Sequence, residues 1–404
     1  MKIAIWWEQV LWGGVDTHLL TLLNNWPDKN DQFTIFYNSN NQGVERIRDS
    51  LCEFKQVKLV VFPEPLNFLP QRFMKIVRYF SLPLRILIMM RRSRRLLIKH
   101  GPFDVIFANN GGYPGAWGCL AALWAASRLR LHIRLLLVHH QAMYRGPLRS
   151  SFESLLDLGV QSWATDLVAV SRATRESLIE RRGFYTENNP IRVTHNGVDS
   201  SIDAKSPMIN LREALDIPAD SFVVGMVGRL ERYKGQEDLI LALDDSPLNR
   251  LSQVVVVFVG GGEKLEKERL QFIAKKLGVE SQIRFAGYIE GNIGLLMRQL
   301  DLLAMLTKDF EGFGLTIAEA MLAEVPVLAT NVGAVPEFVT EDVAFLVPPE
   351  SPEAIAAAIL SVMDNAEKTK QCVVRAKQII GNYSGEVMAK KFYRLLRVSG
   401  MMEG

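Results

Sequence analysis

The sequence predicts an α/β protein built from two doubly wound, Rossmann-like domains that face each other across an interdomain cleft. The chain has 404 residues, of which 48% are hydrophobic, so it is too long for one ordinary core and apolar enough for two. Short apolar runs alternate with longer amphipathic runs, which is typical of βα units. Residues 195–207 are rich in Gly, Asp, Ser and Pro and have the composition of a linker.

The strands of both domains can be placed from the apolar runs. In the first half we expect strands at residues 2–7, 33–37, 57–62, 104–108, 134–138, 166–170 and 191–194. In the second half the strand-like segments are residues 221–230, 252–262, 281–288, 301–307, 325–331 and 343–349, each followed by a helical pattern. Such continuously apolar strands are typical of parallel sheets that are covered on both faces.

Cysteine content and the apolar segments narrow the class of protein. Cys52, Cys119 and Cys372 form no C-x-x-C pair, which argues against a disulfide framework or a zinc site and favours a reducing cytosol. The apolar stretch after Lys2 ends at Glu8, too early for a secretion signal. The longest charge-free stretch contains NNGGYPG, which a membrane-spanning helix would not carry. We therefore expect a cytoplasmic protein without a transmembrane segment.

Charge is distributed unevenly along the chain. Residues 1–190 hold 24 Lys and Arg against 15 Asp and Glu, a net of +9, and the remainder holds 23 against 29, a net of −6, which together give the overall +3. Residues 65–103 contain nine cations, no acid and many apolar residues. A solvated helix usually mixes both signs, so this stretch predicts an anionic partner. A membrane surface suits it better than nucleic acid, and a helix that serves only the fold or the substrate is the alternative.

Ligands of doubly wound sheets bind beyond the carboxyl ends of the strands. The residues that follow the strands here include Gly13 and Gly14, the pair His139 and His140, Arg229 and Lys234, the glycines at 260–262, Tyr288 with Ile289, and residues 309–322. Arg229 and Lys234 offer two fixed positive charges to an anion, which predicts a diphosphate site without a metal. The alternative is an ion pair at Arg229 and a solvated Lys234.

Two glutamates flank a glycine turn in DFEGFGLTIAEAML, residues 309–322. If the turn ends at Gly314 and a helix begins near Thr316, Glu319 lies in the first turn of that helix and Glu311 reaches over from the preceding loop. Both would flank a helix N-terminus, whose free N–H groups attract anions. Glu319 then accepts hydrogen bonds from ribose hydroxyls, or it merely complements the helix dipole.

The first half offers weaker signals. A bare Gly13-Gly14 pair is compatible with a plain βα turn, but Asp16 and His18 at the start of the next helix are expected to face the mouth of the cleft, which favours a ligand there. A histidine at a strand end is more often structural than catalytic, so the residues alone leave the pair at 139 and 140 ambiguous.

Taken in order, these motifs resemble those of the retaining glycosyltransferases of family 4. The series is GGVDTH at 13–18, a strand-end histidine, NGVD at 196–199, VGRL followed by Lys234-Gly235, GGGE, GY, EGFGLTIAE and GAVPE at 333–337. The resemblance covers nearly the whole chain, and its most specific parts are the two glutamates of E-x7-E and the Arg/Lys pair. That family usually has Glu where this chain has Asp16. Its histidine is usually followed by a small or acidic residue, which favours His139 over His140.

The resemblance implies a GT-B fold and sugar transfer, with retention at the anomeric carbon, from a nucleotide-diphospho-sugar. Arg229 and Lys234 would hold the diphosphate and stabilise it as it leaves, Glu319 would bind the ribose, and Glu311 would contact hydroxyls of the transferred sugar. The implied catalytic residues are His139, Arg229, Lys234 and Glu311; the implied donor-binding residues are Gly13, Gly14, Tyr288, Ile289, Gly312, Phe313, Gly314, Leu315, Thr316 and Glu319.

The resemblance also implies how the chain is divided and what it binds. Residues 1–198 would bind the acceptor, residues 199–383 the nucleotide-sugar, and residues 384–404 would form an amphipathic helix that returns to the N-terminal domain. No metal or cofactor is expected, and the donor is a UDP-, GDP- or ADP-sugar. Combined with the basic stretch, this predicts a saccharide acceptor that is lipid-linked, in bacterial-type surface polysaccharide or glycolipid synthesis at the inner face of the plasma membrane.

Other functions are compatible with parts of the sequence. A soluble small-molecule acceptor and a nucleotide-sugar epimerase of the same fold are the alternatives, although an epimerase has no need of the basic stretch. A non-catalytic binding role is a third possibility. A dehydrogenase is disfavoured because no G-x-G-x-x-G follows the first strand.

Overall fold

The computed structural model describes residues 1–51, 56–62, 81–184, 190–199, 209–244, 250–289, 291 and 293–401. The chain forms two compact units, Met1–Gly197 with Gly385–Gly404 and Val198–Ser384. Each unit is built around one parallel sheet, so the predicted fold class of two doubly wound, Rossmann-like domains is confirmed. Within the described ranges, no helix is both long enough and apolar enough to cross a membrane.

The first unit contains a seven-stranded sheet. Its strands are β1 (Lys2–Trp7), β2 (Gln32–Asn38), β3 (Val57–Phe62), β4 (Val105–Asn110), β5 (Ile133–Val138), β6 (Asp166–Ala169) and β7 (Ile191–Val193). They lie in the order β3-β2-β1-β4-β5-β6-β7, and every neighbouring pair is parallel. The order reverses at β1, because Ile3 pairs with Phe33 on one side and with Val105 on the other.

Helices cover this sheet. They are α1 (Gly14–Asn24), α2 (Val44–Ser50), α3 (Leu82–His100), α4 (Trp117–Arg128), α5 (Ser150–Trp163) and α6 (Arg172–Arg182). Helix α4 is apolar on most of its surface because it packs against the sheet, α3 and α5. Helix α6 begins at the cap Ser171, whose side chain accepts a hydrogen bond from Thr174 N, and ends at Gly183, whose φ is 66°.

The second unit contains a six-stranded sheet. Its strands are β8 (Phe222–Val227), β9 (Val254–Val259), β10 (Ile283–Gly287), β11 (Leu302–Met305), β12 (Val327–Thr330) and β13 (Phe345–Val347), in the order β10-β9-β8-β11-β12-β13. Its helices are α7 (Leu211–Ala214), α8 (Gln236–Asp244), α9 (Lys264–Leu277), α10 (Ile293–Met297), α11 (Leu315–Leu322), α12 (Pro352–Asp364) and α13 (Ala366–Ile380). All pairs are parallel, and the order reverses between β8 and β11.

One predicted helix in this unit is wrong. The connection between β12 and β13, all of which is described, contains only the short 3₁₀ helix Val335–Glu337. The backbone of this connection bonds to the loop after β11 instead. Gly333 has φ 56°, and Ala334 N donates to the carbonyl oxygen of Glu311 at 2.9 Å. Tertiary hydrogen bonds therefore replace the helical ladder that the sequence pattern indicated.

The last helix, α14 (Gly385–Met401), belongs to the first unit. The Phe392 ring is fully buried, with its centroid 5.7 Å from that of His18 and 5.5 Å from that of Phe107. Arg397 forms an ion pair of 3.0 Å with Asp28. Of the remaining residues in its apolar face, Leu395 and Leu396 are buried, whereas Val387 is partly exposed.

Candidate active site

Charged residues of the second unit meet where its strand order reverses, the place at which open α/β sheets bind ligands. Lys234 follows β8 and Glu311 follows β11. Lys234 Nζ lies 3.0 Å from Glu311 Oε2, and the Thr307 hydroxyl lies 3.3 Å from the same oxygen. The two charged side chains are 23% and 17% exposed, so solvent screens the pair only partly. Thr307 was not predicted as a site residue, although a polar residue directly after a buried strand indicates a possible ligand contact.

Close backbone contacts between glycine loops hold this region together. Gly235 has φ 83°, and a Cβ there would lie 2.1 Å from the carbonyl oxygen of Leu306. Gly260 has φ 142°, and a Cβ there would lie 2.0 Å from the carbonyl oxygen of Gly228. Gly260 N also donates to the carbonyl oxygen of Gly287 at 2.7 Å. The loops after β8, β9, β10 and β11 can approach this closely only because these positions carry no side chain.

The loop after β12 packs against the backbone of Glu311. A Cβ at Gly333 would lie 2.4 Å from the carbonyl oxygen of Glu311, and Ala334 N donates to that oxygen. Gly333 is thus a supporting residue for the glutamate, a role that its motif did not reveal. The position of the Glu311 carboxylate follows from contacts between the ends of two strands, β11 and β12.

Arg229 and Lys234 differ in their surroundings. Arg229 Nη1 lies 3.2 Å from Glu231 Oε1, and the Arg229 side chain is 55% exposed, which matches the ion-pair alternative for that residue. Lys234 is not a freely solvated lysine, because it is paired with Glu311 and its Nζ also lies 5.1 Å from the centroid of the Tyr233 ring. Burial raises the pKa of Tyr233 well above its ordinary value, so this phenol stays neutral.

Helix α11 begins one residue earlier than predicted and moves Glu319 out of the first turn. Gly314 has φ 93° and serves as the cap, so that Leu315 is the first helical residue and Glu319 is the fifth, in the second turn. The Glu319 side chain is partly exposed. Burial raises the pKa of its carboxyl from an ordinary 4.5 to about 7, and no charged or hydrogen-bonding side chain among the described residues offsets this effect.

The other predicted donor-binding residues of this unit differ in how far they are buried. Phe313 is buried, and its ring centroid lies 4.8 Å from that of Phe338, so Phe313 can offer a ligand only its backbone. Gly312 and Gly314 are buried, whereas Leu315 and Thr316 are partly exposed. Tyr288 is 53% exposed directly after β10, and Ile289 is partly exposed.

In the first unit, Asp16 caps a helix instead of facing solvent. Asp16 is 1% exposed; its Oδ2 accepts from Gly13 N at 2.6 Å and its Oδ1 accepts from Trp7 Nε1 at 2.6 Å. A carboxylate one turn into a helix satisfies N–H groups that have no helical partner, and this explains its inward direction. Burial raises the pKa of Asp16 to about 7. Gly14, the first residue of α1, is exposed.

His18 is also buried, so the prediction that Asp16 and His18 face a cleft mouth is wrong. His18 Nδ1 lies 2.9 Å from Asn196 Oδ1, and His139 Nε2 lies 2.7 Å from Asn109 Oδ1. The two imidazole centroids are 4.6 Å apart in an edge-to-face arrangement. Burial lowers the pKa of His18 to about 4, and burial and the neighbouring His18 lower the pKa of His139 well below 6.5. Both rings are therefore neutral at neutral pH, whereas His140 is partly exposed.

The contacts of these rings with Asn109 and Asn196 were not predicted, although Asn196 belongs to the NGVD motif at 196–199. Asn109 and Asn110 end β4, and Asn196 stands 178 residues after its partner His18. His139 directly follows β5, and Asn109 lies at the carboxyl end of β4, the strand that pairs with β1 where the order reverses. Sequence spacing alone could not have paired residues so far apart.

Comparison with known proteins identifies the family. The model of "Glycosyltransferase Family 4" matches residues 12–202, and that of "Glycosyl transferases group 1" matches residues 208–379. The chain is 26% identical over 245 residues to an uncharacterized glycosyltransferase of Methanocaldococcus jannaschii, which is 59% of this chain and 61% of that protein. It is 30% identical over 212 residues to the D-inositol 3-phosphate glycosyltransferase of Corynebacterium glutamicum, which is 50% of each chain.

The fold is shared over a greater length. The chain spans only about half to three fifths of these curated relatives. The crystal structure of Anabaena Alr3699/HepE in complex with UDP is similar over 98% of this chain and 100% of that chain, with a TM-score of 0.73 and 23% identity. The two family models, one for each half of the chain, and the shared architecture confirm the resemblance seen in the motifs: the chain is similar to the group 1 and family 4 glycosyltransferases and has a GT-B-type fold.

Proposed function

We propose that this chain transfers a sugar from a nucleotide-diphospho-sugar to a saccharide acceptor, with retention at the anomeric carbon and without a metal ion. The observation that carries the proposal is the pair of Lys234 and Glu311 at the strand reversal, with Arg229 on the same loop as the lysine. A diphosphate would replace Glu311 as the partner of Lys234. The glutamate would then be available to hydroxyl groups of the sugar.

The chemistry needs positive charge where the diphosphate leaves. The bond from the anomeric carbon to the diphosphate oxygen breaks, the acceptor hydroxyl oxygen takes that carbon, and the hydroxyl proton leaves on the departing diphosphate. Negative charge grows on the diphosphate oxygen during this step, and Arg229 and Lys234 would stabilise it. Removal of one preorganised donor from such a site typically costs about 10² to 10³ in rate.

Glu319 suits the ribose. Its carboxyl group lies in surroundings that disfavour the charge, without an offsetting partner among the described side chains. Two ribose hydroxyls would donate to this carboxylate and restore the hydrogen bonds that water otherwise supplies. The backbone at Tyr288 and Ile289 is our proposed contact for the base. Because the Anabaena protein of similar fold was crystallised with UDP, a UDP-sugar is the first donor to test, followed by GDP- and ADP-sugars.

An exposed face of α3 supports a membrane-bound acceptor. Leu84, Leu87 and Ile98 are 58%, 42% and 56% exposed, and Arg91 and Arg95 lie between them on the same face. The helix contains no acid. We propose that this face rests on an anionic leaflet on the cytoplasmic side, where each cation contributes about 1 kcal/mol before screening, and that the acceptor is lipid-linked. Residues 65–80 of the basic stretch lie outside the described residues.

A soluble acceptor is the second candidate. The Corynebacterium glutamicum relative is named as a D-inositol 3-phosphate glycosyltransferase, so a small phosphorylated alcohol is a reasonable acceptor for this chain too. Such an acceptor would make the apolar residues on α3 unnecessary for activity. A nucleotide-sugar epimerase would convert the sugar and release no nucleoside diphosphate.

Release of nucleoside diphosphate tests the proposal. The protein is incubated with UDP-, GDP- and ADP-sugars, alone, with D-inositol 3-phosphate and with bacterial lipid extract. We expect release from one donor, stimulated by lipid extract and insensitive to EDTA. Lys234→Ala should abolish most of it, whereas Arg232→Gln, a charge change on the same loop at a residue that faces Glu266, should not. Conversion of the sugar without release, or a need for a divalent ion, would overturn the proposal.

A further inference from the structure

The first unit contains an apolar cavity that the proposed reaction does not use. Its volume is about 320 Å³, at the small end of the roughly 300 to 1,000 Å³ typical of ligand sites. Its lining includes Trp6, Phe62, Met89, Arg92, Arg95 and Leu96. The aromatic residues and Met89 are buried, whereas both arginines are exposed. The cavity therefore has an apolar interior and a cationic rim.

A buried hydrogen-bond donor lies in the wall of this cavity. Trp6 Nε1 is buried and has no partner among the described residues, although the Trp6 ring stacks with those of Phe36 and Phe62, at centroid distances of 5.0 and 4.9 Å. An unpaired buried donor is costly and uncommon in proteins. An alkyl chain would bring no acceptor to this atom, so the apolar lining and the cationic rim, and not this donor, indicate the class of ligand.

Charge at the rim selects the ligand further. Arg92 and Arg95 stand on α3, which carries Arg91, Arg94 and Lys99 as well and has no acidic residue. No acidic side chain lines the cavity among the described residues; the Glu8 carboxylate lies behind the lining residue Gly118, where it accepts from Gly118 N at 2.5 Å and Cys119 N at 3.2 Å. The rim is therefore complementary to an anion.

We propose that this cavity binds the alkyl chain of an anionic amphiphile, with its phosphate held by Arg92 and Arg95. This proposal goes beyond the proposed function because it assigns a separate site in the first unit. It rests on the proposed function only where a lipid-linked acceptor is taken as the natural source of the alkyl chain. The phosphate and the chain are both required, because the rim alone is solvated and the interior alone has no charged group.

Titration calorimetry with hexyl, octyl and decyl phosphate tests the proposal on the full chain. Affinity should rise about fourfold for each added methylene, which is the fold-change given by about 0.8 kcal/mol per buried CH₂. Inorganic phosphate should not bind measurably, and decyl glucoside, which has the chain without the charge, should bind at least tenfold more weakly than decyl phosphate. Affinity that is independent of chain length, or equal for the charged and neutral decyl compounds, would overturn the proposal.

Matched variants locate the site. Arg92→Gln with Arg95→Gln should reduce affinity for decyl phosphate at least tenfold, and Leu96→Trp, which fills the cavity, should do the same. The control is Arg91→Gln with Arg94→Gln, an equal charge change on the same helix away from the cavity, which should leave affinity within twofold. Equal losses in both double variants would show general attraction and would overturn the assignment.

The source of the chain and the fold of the variants are checked separately. Anionic vesicles that displace decyl phosphate from the wild type, and that bind the Leu96→Trp variant more weakly than the wild type, identify a membrane lipid. Stimulation of sugar transfer by a lipid-linked saccharide, lost in the same variant, identifies the acceptor. Unchanged nucleoside diphosphate binding shows that the variant is folded. Release of nucleoside diphosphate from the donor alone tests the proposed function independently of alkyl phosphate binding.

Discussion

Replacement of Glu319 by glutamine should stabilise the second unit at neutral pH and weaken its binding of a nucleotide-sugar. The carboxyl lies in surroundings that raise its pKa from 4.5 to about 7. Below pH 4.5 it is protonated in both the folded and the unfolded chain and contributes nothing. As the pH rises towards 7 the unfolded chain loses the proton while the folded chain keeps it, so stability falls.

The magnitude follows from the two pKa values. At about 1.4 kcal/mol for each pH unit between 4.5 and about 7, the full cost is roughly 3 kcal/mol, and partial exposure of the side chain reduces it to about 2 kcal/mol. The neutral amide in Glu319→Gln removes this cost. Loss of charge-assisted hydrogen bonds to ribose should at the same time weaken nucleotide-sugar binding by about 1.5 to 3 kcal/mol, roughly 10- to 100-fold.

The assay uses an asymmetry in the chain. All seven tryptophans lie at or before Trp163, so their fluorescence reports the first unit, and hydrogen exchange of α11 peptides reports the second. Exchange protection in α11 should rise in Glu319→Gln at about pH 8 and match the wild type at about pH 4, with unchanged tryptophan fluorescence. Glu324→Gln is the control, because Lys377 lowers the pKa of Glu324 and its loss should not stabilise. Unchanged affinity with unchanged stability would refute the reasoning.

Three further predictions concern the stability of the two units. Gly235→Ala should destabilise the second unit by about 1 to 3 kcal/mol, measured by hydrogen exchange, because its Cβ would lie 2.1 Å from a carbonyl oxygen. Arg182→Met should destabilise the first unit by about 3 kcal/mol in urea unfolding followed by tryptophan fluorescence, because it removes the fully buried cation that Glu153 and Asp157 share and leaves them only the partly exposed Arg149 and Arg145. Because the pKa of His18 is lowered to about 4, the unfolded chain takes up the proton first, and His18 should cost the first unit up to about 3 kcal/mol of stability as the pH falls from 6.5 to 4. His18→Gln should make this pH dependence shallower, with the contribution of His139 remaining.

The fold was predictable because local signals agreed with it. Each expected strand is present, and the continuous valines of β9 are the kind of run that only a strand buried on both faces carries. The connection after β12 was not predictable, because its backbone hydrogen-bonds to Glu311, a residue that the helical pattern did not consider. Local propensity gave way there to a tertiary contact.

The candidate site also has features that could be predicted from local sequence and features that depend on distant residues. Gly314 and Glu311 could be placed from sequence since a glycine turn before a helix is local. The pairing of Glu311 with Lys234 spans 77 residues and exists because β8 and β11 are neighbours. The inward direction of Asp16 was missed because its partner, Trp7 Nε1, lies on a different element. Burial of a polar side chain depends on such partners, which no single-sequence pattern contains.

A crystal structure of the chain with an unreacted UDP-sugar tests the central claim most directly. It follows a turnover experiment that has established a UDP-sugar as the donor. The account predicts that Lys234 Nζ leaves Glu311, 3.0 Å away in the structure described, and lies within hydrogen-bonding distance of the diphosphate together with Arg229, while Glu319 accepts from the ribose hydroxyls. A diphosphate bound away from both cations, with the Lys234–Glu311 pair intact, would contradict it.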